Sequence, residues 1–178
     1  MIRICGDRDF ATIHSIINEA AEKYRGVIPQ DCWKAPYMSE DELRHEIGEG
    51  VEFWGNERGG ELIGVMGIQH VKDVTLIRHA YVLSSEQGLG IGSNLLSFLC
   101  KQTTRPILIG TWKDADWAVR FYEKRGFTQV PLQEKNVLLQ KYWSVPSRQM
   151  ETSVVLANNE WFGFGQEPAI AIHCIPDD

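Results

Sequence analysis

A glycine-rich turn between a strand and a helix constrains the fold of this chain more than any other feature of its sequence. Arg78 to Leu83 has the composition of a strand end, and Gln87-Gly-Leu-Gly-Ile-Gly-Ser93 follows it. Gly88, Gly90 and Gly92 lack a Cβ, so the backbone can take positive φ and approach a ligand closely. Such a turn, with a helix N-terminus behind it, binds anions. The segment predicts a phosphate site, although a turn without a ligand has the same spacing.

Two familiar glycine motifs do not fit this turn. A dinucleotide fingerprint requires G-x-G-x-x-G in the opening half of a βαβ unit, whereas Gly88, Gly90 and Gly92 alternate in the middle of the chain. A P-loop requires Gly-Lys-Ser or Gly-Lys-Thr, which this sequence lacks. The spacing fits the form Q-x-x-G-x-G, which Gln87, Gly90 and Gly92 fill.

A second motif follows after one predicted strand, Ile107 to Thr111. Asp116 to Arg125 has the apolar spacing of a helix, and Gly126 is a natural residue to end it. An alanine, a Phe-Tyr pair and Glu-Lys-x-Gly-Phe occur in order between Asp116 and Phe127. The two motifs, in this order and with one strand between them, resemble the signatures of the GNAT superfamily of N-acetyltransferases.

The resemblance implies an α+β fold. We expect a mixed, mostly antiparallel sheet with helices on both faces, splayed in the middle between the strands that end at Leu83 and Thr111. Hydrophobic periodicity and capping signals indicate further elements. They are a helix over 10–24, a helix with the capping box Ser39 and Glu42, a hairpin over 51–71, a helix over 133–142 and a strand over 150–157.

We expect residues 1–157 to form the GNAT-like acetyltransferase domain and residues 158–178 to be a C-terminal extension. Ala169 to Ile175 alternates small and β-branched residues, which indicates an added edge strand. The aromatic residues Trp161, Phe162 and Phe164 indicate a segment that packs, and a contact in a homodimer is one such role.

Resemblance to the family also implies that acetyl-CoA is the cofactor. The pantetheine arm is then expected in the splay, and the pyrophosphate at the glycine turn. The residues predicted to bind acetyl-CoA are Tyr81, Val82, Leu83, Gln87, Gly88, Leu89, Gly90, Ile91, Gly92, Ser93, Trp117 and Phe121.

The resemblance makes Tyr122 the general acid of a direct acetyl transfer to a primary amine. A phenol of pKa about 10 can protonate a leaving thiolate. The alternative is that Tyr122 is only a residue of the hydrophobic core. Some relatives carry a glutamate base where this chain has Gly110. His79 is the candidate base, and an ordered water or a purely structural His79 are the alternatives.

The acceptor is expected between the first helices and the first hairpin, where Trp33, Tyr37 and His70 are the candidate substrate residues. Residues before the last strand could also face the acceptor, namely Tyr142, Trp143, Arg148, Gln149 and Glu151. The Arg148 guanidinium would suit an acceptor that carries a carboxylate. The sequence leaves the acceptor open between small-molecule and peptide amines.

Composition excludes several other classes of function. A formal net charge of −6 argues against nucleic acid as a partner. The four cysteines and five histidines show no ligand spacing, so we expect no metal site. No apolar run is long enough to cross a membrane and the N-terminus does not resemble a signal peptide, so a cytoplasmic protein is expected.

Two non-enzymatic functions remain compatible with these residues. One is a module that binds or senses acyl-CoA without turnover, because Gly110 and Ala115 stand where relatives often carry a glutamate and a cofactor-binding asparagine. The other is a protein-interaction module on the same fold.

Overall fold

The computed structural model describes residues 1–163, which contain a seven-stranded sheet in the order β1-β2-β3-β4-β5-β7-β6. The strands are β1 Ile2–Ile4, β2 Glu52–Arg58, β3 Glu61–Val71, β4 Val74–Val82, β5 Ile107–Trp112, β6 Thr128–Gln129 and β7 Ser153–Ala157. The helices are α1 Phe10–Ala21, α2 Glu40–Gly48, α3 Ile91–Cys100, α4 Asp116–Glu123, α5 Leu132–Tyr142, α6 Ser147–Glu151 and α7 Asn159–Gly163.

The hydrophobic core lies on both faces of the sheet, and neighbouring residues of β3 contribute to both parts. Leu62 and Val65 pack with α1 and α2, whereas Ile63 and Met66 pack with α3 and α4. Helix α5 covers β4, β5 and β7 on the same face as α1, where Leu76 lies. Every strand pair is antiparallel except β4 and β5. The predicted mixed, mostly antiparallel α+β fold is confirmed.

The sheet parts between β4 and β5. The two strands are parallel and pair through only three positions, ending at Ile77 and Ile109. Beyond this point β4 continues along β3 to Val82, and β5 stays with β7 as far as Trp112. The backbone edges of the two strands therefore separate toward their carboxyl ends and leave a space within the sheet.

A β-bulge lies in β4 at the start of this separation. Val65 pairs with Tyr81 and Gly67 pairs with Arg78, so two residues of β4, His79 and Ala80, oppose the single residue between them in β3. His79 has a φ of 51°, in the left-handed region that side chains rarely adopt. Bulges bend a strand and redirect its side chains, and this one turns His79 toward the splay.

Local sequence signals agree with most of the elements. Ser39 and Glu42 form the predicted capping box at the start of α2. The helix expected behind the glycine turn begins at Ile91. The predicted strand over 150–157 is wrong at its beginning, where Ser147–Glu151 is helical and the strand starts at Ser153. The predicted edge strand over 169–175 lies outside the described residues.

No helix within residues 1–163 has both the length and the apolar character needed to cross a bilayer.

Gly67 lies opposite the β4 bulge and leaves no room for a side chain. A Cβ on Gly67 would lie 2.8 Å from Val51 Cγ1 and 3.0 Å from the Arg78 carbonyl oxygen. We expect Gly67→Ala to lower the free energy of unfolding by about 1–3 kcal/mol, because this overpacking pushes on backbone and on a stiff β-branched side chain. Urea denaturation measures the change.

Gly48→Ala in α2 is the matched control, since a Cβ there meets nothing within 4 Å. Alanine favours helix over glycine by up to about 1 kcal/mol, so this variant should be neutral or more stable. Equal stability of the two variants would contradict the proposed close packing at Gly67.

Candidate functional site

Two cavities meet in the splay between β4 and β5. The first has a volume of about 470 Å³ and is lined by β4, the glycine turn, the start of α3, β5 and α4. The second has a volume of about 120 Å³ and lies toward α5 and the segment that follows it. The residues that line both cavities are Tyr24, Ile77, His79, Tyr81, Gly110 and Thr111.

The glycine turn closes one end of the first cavity. Gly88 and Gly90 both have a φ of +79°, and Gly90 is the N-cap of α3. Gln87 Nε2 donates a hydrogen bond to the Val82 carbonyl oxygen at 3.1 Å, which ties the turn to the end of β4. A Cβ on Gly92 would lie 3.4 Å from the Phe121 ring. The turn therefore presents backbone N–H groups and a helix N-terminus to the cavity, as an anion site requires.

An arginine that sequence reasoning missed stands beside this turn. The Arg125 guanidinium lies over the Phe121 ring, 3.8 Å from its centroid, and its Nε donates to Ser93 Oγ at 2.7 Å. Lys23 adds a second cation to the lining of the cavity, with Nζ 4.6 Å from the centre of the Trp117 ring. Both cations suit a phosphate-bearing ligand.

Most of the residues predicted to bind the cofactor line the first cavity. They are Tyr81, Val82, Gln87, Gly88, Gly90, Ile91, Gly92, Ser93, Trp117 and Phe121. Leu83 instead packs with the core cluster of α1 and α2, and its N–H bonds the Ile63 carbonyl oxygen at 3.1 Å. The Leu89 side chain at the tip of the turn is 63% exposed. Neither leucine lines the cavity.

Tyr122 lies in the wall of the first cavity. It is 7% exposed and touches Phe121 and Phe127 edge to face, at centroid distances of 5.1 and 6.1 Å. Burial raises the pKa of the Tyr122 phenol above its ordinary value. The phenol therefore keeps its proton at neutral pH.

His79 is held at the junction of the cavities by a glutamate from α2. His79 Nε2 lies 3.1 Å from Glu46 Oε2, and the His79 ring stacks on Phe53 with centroids 5.9 Å apart. Burial opposes ionisation of Glu46, but hydrogen bonding from His79 and the charge of Arg78 lower the pKa of its carboxyl. An ionised carboxylate can only accept, so Nε2 carries the proton and the lone pair of the neutral ring is on Nδ1.

The second cavity has aromatic walls. Tyr37 lines it, and the Tyr37 hydroxyl accepts a hydrogen bond from Trp112 Nε1 at 2.8 Å. Trp33 stacks on Tyr37 at a centroid distance of 5.8 Å and so supports this wall from behind. Trp143 and Gln149 from the segment before β7 also line the cavity.

Two predicted acceptor residues lie elsewhere. His70 is near the β3–β4 hairpin, at the end of β4 opposite to the splay, where its Nδ1 is 2.9 Å from Thr75 Oγ1. Arg148 pairs with Asp31 at 2.8 Å and with Glu151 at 3.3 Å on the surface. Neither side chain lines either cavity.

Gly110 leaves space that an indole fills. A Cβ on Gly110 would lie 3.5 Å from Cε2 and Cζ2 of Trp143. The indole therefore covers β5 at the junction of the cavities, where a longer side chain at position 110 would displace it. Within residues 1–163, no three His, Cys, Asp or Glu side chains are grouped so that they could hold a metal ion.

Comparison with solved structures finds the same architecture. An acetyltransferase of the GNAT family from Staphylococcus aureus Mu50 matches with a TM-score of 0.67 and 16% identity, over 90% of this chain and 98% of that chain. The PaiA N-acetyltransferase of Thermoplasma acidophilum, solved with coenzyme A, matches with a TM-score of 0.65 and 17% identity, over 89% and 97%. The ribosomal-protein-S18-alanine N-acetyltransferase of Escherichia coli matches with a TM-score of 0.63 and 18% identity, over 89% and 92%.

At these identities the similarity establishes the fold. No curated protein sequence matches the chain. The sequence does match the family model of the acetyltransferase (GNAT) domain over residues 17–142. Because this match spans more than half of the chain and agrees with the fold, the protein belongs to the GNAT family of acetyltransferases.

Proposed function

We propose that this protein is an N-acetyltransferase that moves the acetyl group of acetyl-CoA directly to a primary amine. The observation that supports the proposal most strongly is the meeting of two cavities in the splay of the sheet. One has the features of a cofactor site and the other is small and aromatic, with Tyr122 and His79 in their walls. A direct transfer needs such an arrangement, because donor and acceptor must be adjacent.

The first cavity fits coenzyme A. Gly88 and Gly90 hold the left-handed conformation, and N–H groups at the start of α3 suit a pyrophosphate. Arg125 and Lys23 add positive charge. Past Ile77 the backbone of β4 has no partner in β5, so its polar groups suit the amides of a pantetheine arm. When bound, acetyl-CoA supplies an acetyl thioester that a neutral amine can attack.

Tyr122 acts as the general acid. Its raised pKa keeps the hydroxyl protonated, and the phenol gives its proton to the leaving sulfur as the carbon–sulfur bond breaks. His79 acts as the general base and takes the proton that the amine loses when its nitrogen bonds the acetyl carbon. Glu46 is a positioning residue, because its carboxylate fixes the His79 tautomer and ring orientation.

Tyr122→Phe removes the proton of the general acid and keeps the ring. We expect kcat to fall about 100-fold, the lower end for general acid catalysis, while affinity for coenzyme A stays unchanged. Release of free thiol from acetyl-CoA with a panel of amines measures the rate, and calorimetry measures the affinity.

Tyr142→Phe is the control, since the Tyr142 hydroxyl donates to Asp73 at 2.6 Å on another part of the fold. It should keep the full rate. An unchanged rate in Tyr122→Phe would remove the proposed general acid. Binding of coenzyme A without thiol release from any amine would favour a binding or sensing module instead.

The His79–Glu46 pair is tested by a double-mutant cycle. We expect His79→Gln to lower kcat about 100-fold and Glu46→Gln about 10-fold, because Glu46 acts on kcat through His79. In the double variant the two losses should not add. Glu40→Gln, on the exposed side of the same helix, is the control. Additive losses would show that Glu46 does not act through His79.

Arg125→Gln tests the phosphate end of the first cavity. We expect affinity for coenzyme A to fall about 10-fold, because a charge-assisted hydrogen bond contributes about 1.5–3 kcal/mol. The loss should shrink at high salt. Calorimetric titration of coenzyme A measures the affinity, with the exposed Arg120→Gln on helix α4 as control. Equal affinity in both variants would contradict a phosphate contact by Arg125.

A further inference from the structure

The second cavity has no acidic side chain among the described residues that line it. Its polar groups are the side chains of Arg78, His79, Gln149 and Ser153, the hydroxyl of Thr111 and the phenols of Tyr24, Tyr37 and Tyr81. Trp112 and Trp143 complete the aromatic wall. A protonated amine that entered this cavity would therefore lose its water without meeting a counter-charge.

The carboxylate of Glu46, which holds His79 and Arg78, is already bonded on both oxygens. Glu46 Oε1 accepts from Arg78 Nη2 at 3.0 Å, while Glu46 Oε2 contacts Arg78 Nη1 at 2.8 Å and His79 Nε2 at 3.1 Å. The Glu46 carboxylate does not line either cavity. Its charge is matched by that of Arg78, so it offers little attraction to a cationic substrate.

The phenols at the junction are uncharged as well. Tyr24 stacks toward Tyr37 with centroids 5.5 Å apart, and Tyr81 meets both rings edge to face at 6.4 and 6.5 Å. Exclusion of water raises the pKa of all three hydroxyls. Their π faces attract a cation only modestly compared with a carboxylate, so desolvation lowers the pKa of an amine bound beside them.

The cavity also has hydrogen-bond donors for an oxygen atom near the amine. Arg78 Nη1 donates a hydrogen bond to Gln69 Oε1 at 3.1 Å and also contacts the Glu46 carboxylate. One Nη2 hydrogen is donated to the same carboxylate. The Arg78 Nε–H and second Nη2 hydrogen have no partner among residues 1–163. The Gln149 amide, which also lines the cavity, can donate too.

We infer that the acceptor is an α-amino amide or a peptide N-terminus, in which a weakly basic amine lies one carbon away from an amide carbonyl. This inference rests on the proposed acetyl transfer and names the substrate class of the same site. The α-amine of a peptide N-terminus has a pKa of about 8 against about 10.4 for a lysine ε-amine, which makes the neutral fraction near pH 7 about 200-fold larger. Neutral amine enters the aromatic cavity, and Arg78 or Gln149 binds the adjacent oxygen.

Substrates of matched shape test this class. Alaninamide and 2-aminobutane have the same branched carbon beside the amine, but only alaninamide has the carbonyl and the low basicity. At pH 7.5 we expect kcat/KM to favour alaninamide about 100-fold, and the gap to narrow toward pH 10 as 2-aminobutane loses its proton. The dipeptide Ala-Ala should react like alaninamide, whereas alanine should react more slowly because the free carboxylate makes its amine more basic.

Gln149→Glu tests the cause of the selectivity, because it adds a carboxylate to the cavity with almost no change of shape. The new charge should stabilise ammonium and lower the preference for alaninamide about 10-fold. Gln102→Glu adds the same charge at an exposed position after α3 and should leave the preference unchanged.

The outcomes separate this inference from the proposed function. Equal or faster acetylation of 2-aminobutane at pH 7.5 would overturn the inference and leave the acetyl transfer intact. A Gln149→Glu variant with the preference of the wild type would also overturn the inference. Absence of thiol release from every amine would overturn the proposed function, and the inference would fall with it.

Discussion

The short parallel pairing of β4 and β5 is the constraint on which the site depends. Three pairs of residues hold the strands together up to Ile77 and Ile109, and each strand then follows its antiparallel neighbour. Antiparallel ladders on both outer sides keep the sheet intact while its middle opens. The opening leaves backbone groups of β4 unpaired by β5 and creates room on both faces, where the two cavities form.

The second feature that determines the chemistry of the site is the neutralisation of charge within the protein. The Glu46 carboxylate bonds Arg78 and His79, so the charged groups around the β4 bulge are matched within the protein. The overall net charge of the chain is −6. The lining of the second cavity does not reflect that overall charge, since specificity depends on the few side chains that reach the ligand.

Residues within one continuous motif were predictable from the sequence, whereas partners from distant segments were not. The glycine turn and Tyr122 depend on spacing within 12 residues or fewer, which backbone geometry converts directly into position. Glu46 approaches His79 from 33 positions away, and only tertiary packing joins them. His70 lies on a strand that reaches the splay, but β3 is 11 residues long and His70 is at its end remote from the splay.

Gly110 shows why the acceptor is harder to predict from the sequence than the cofactor. The first cavity, where we propose that the cofactor binds, is formed largely by β4, the glycine turn and α4. The glycine turn and α4 carry the family motifs. The wall over Gly110 comes instead from Trp143, which belongs to a segment after α5 with no motif of its own. A small residue on β5 lets that distant indole reach the junction of the cavities. Substitutions in the segment after α5 can thus reshape the second cavity while the glycine turn and α4 keep the first cavity unchanged.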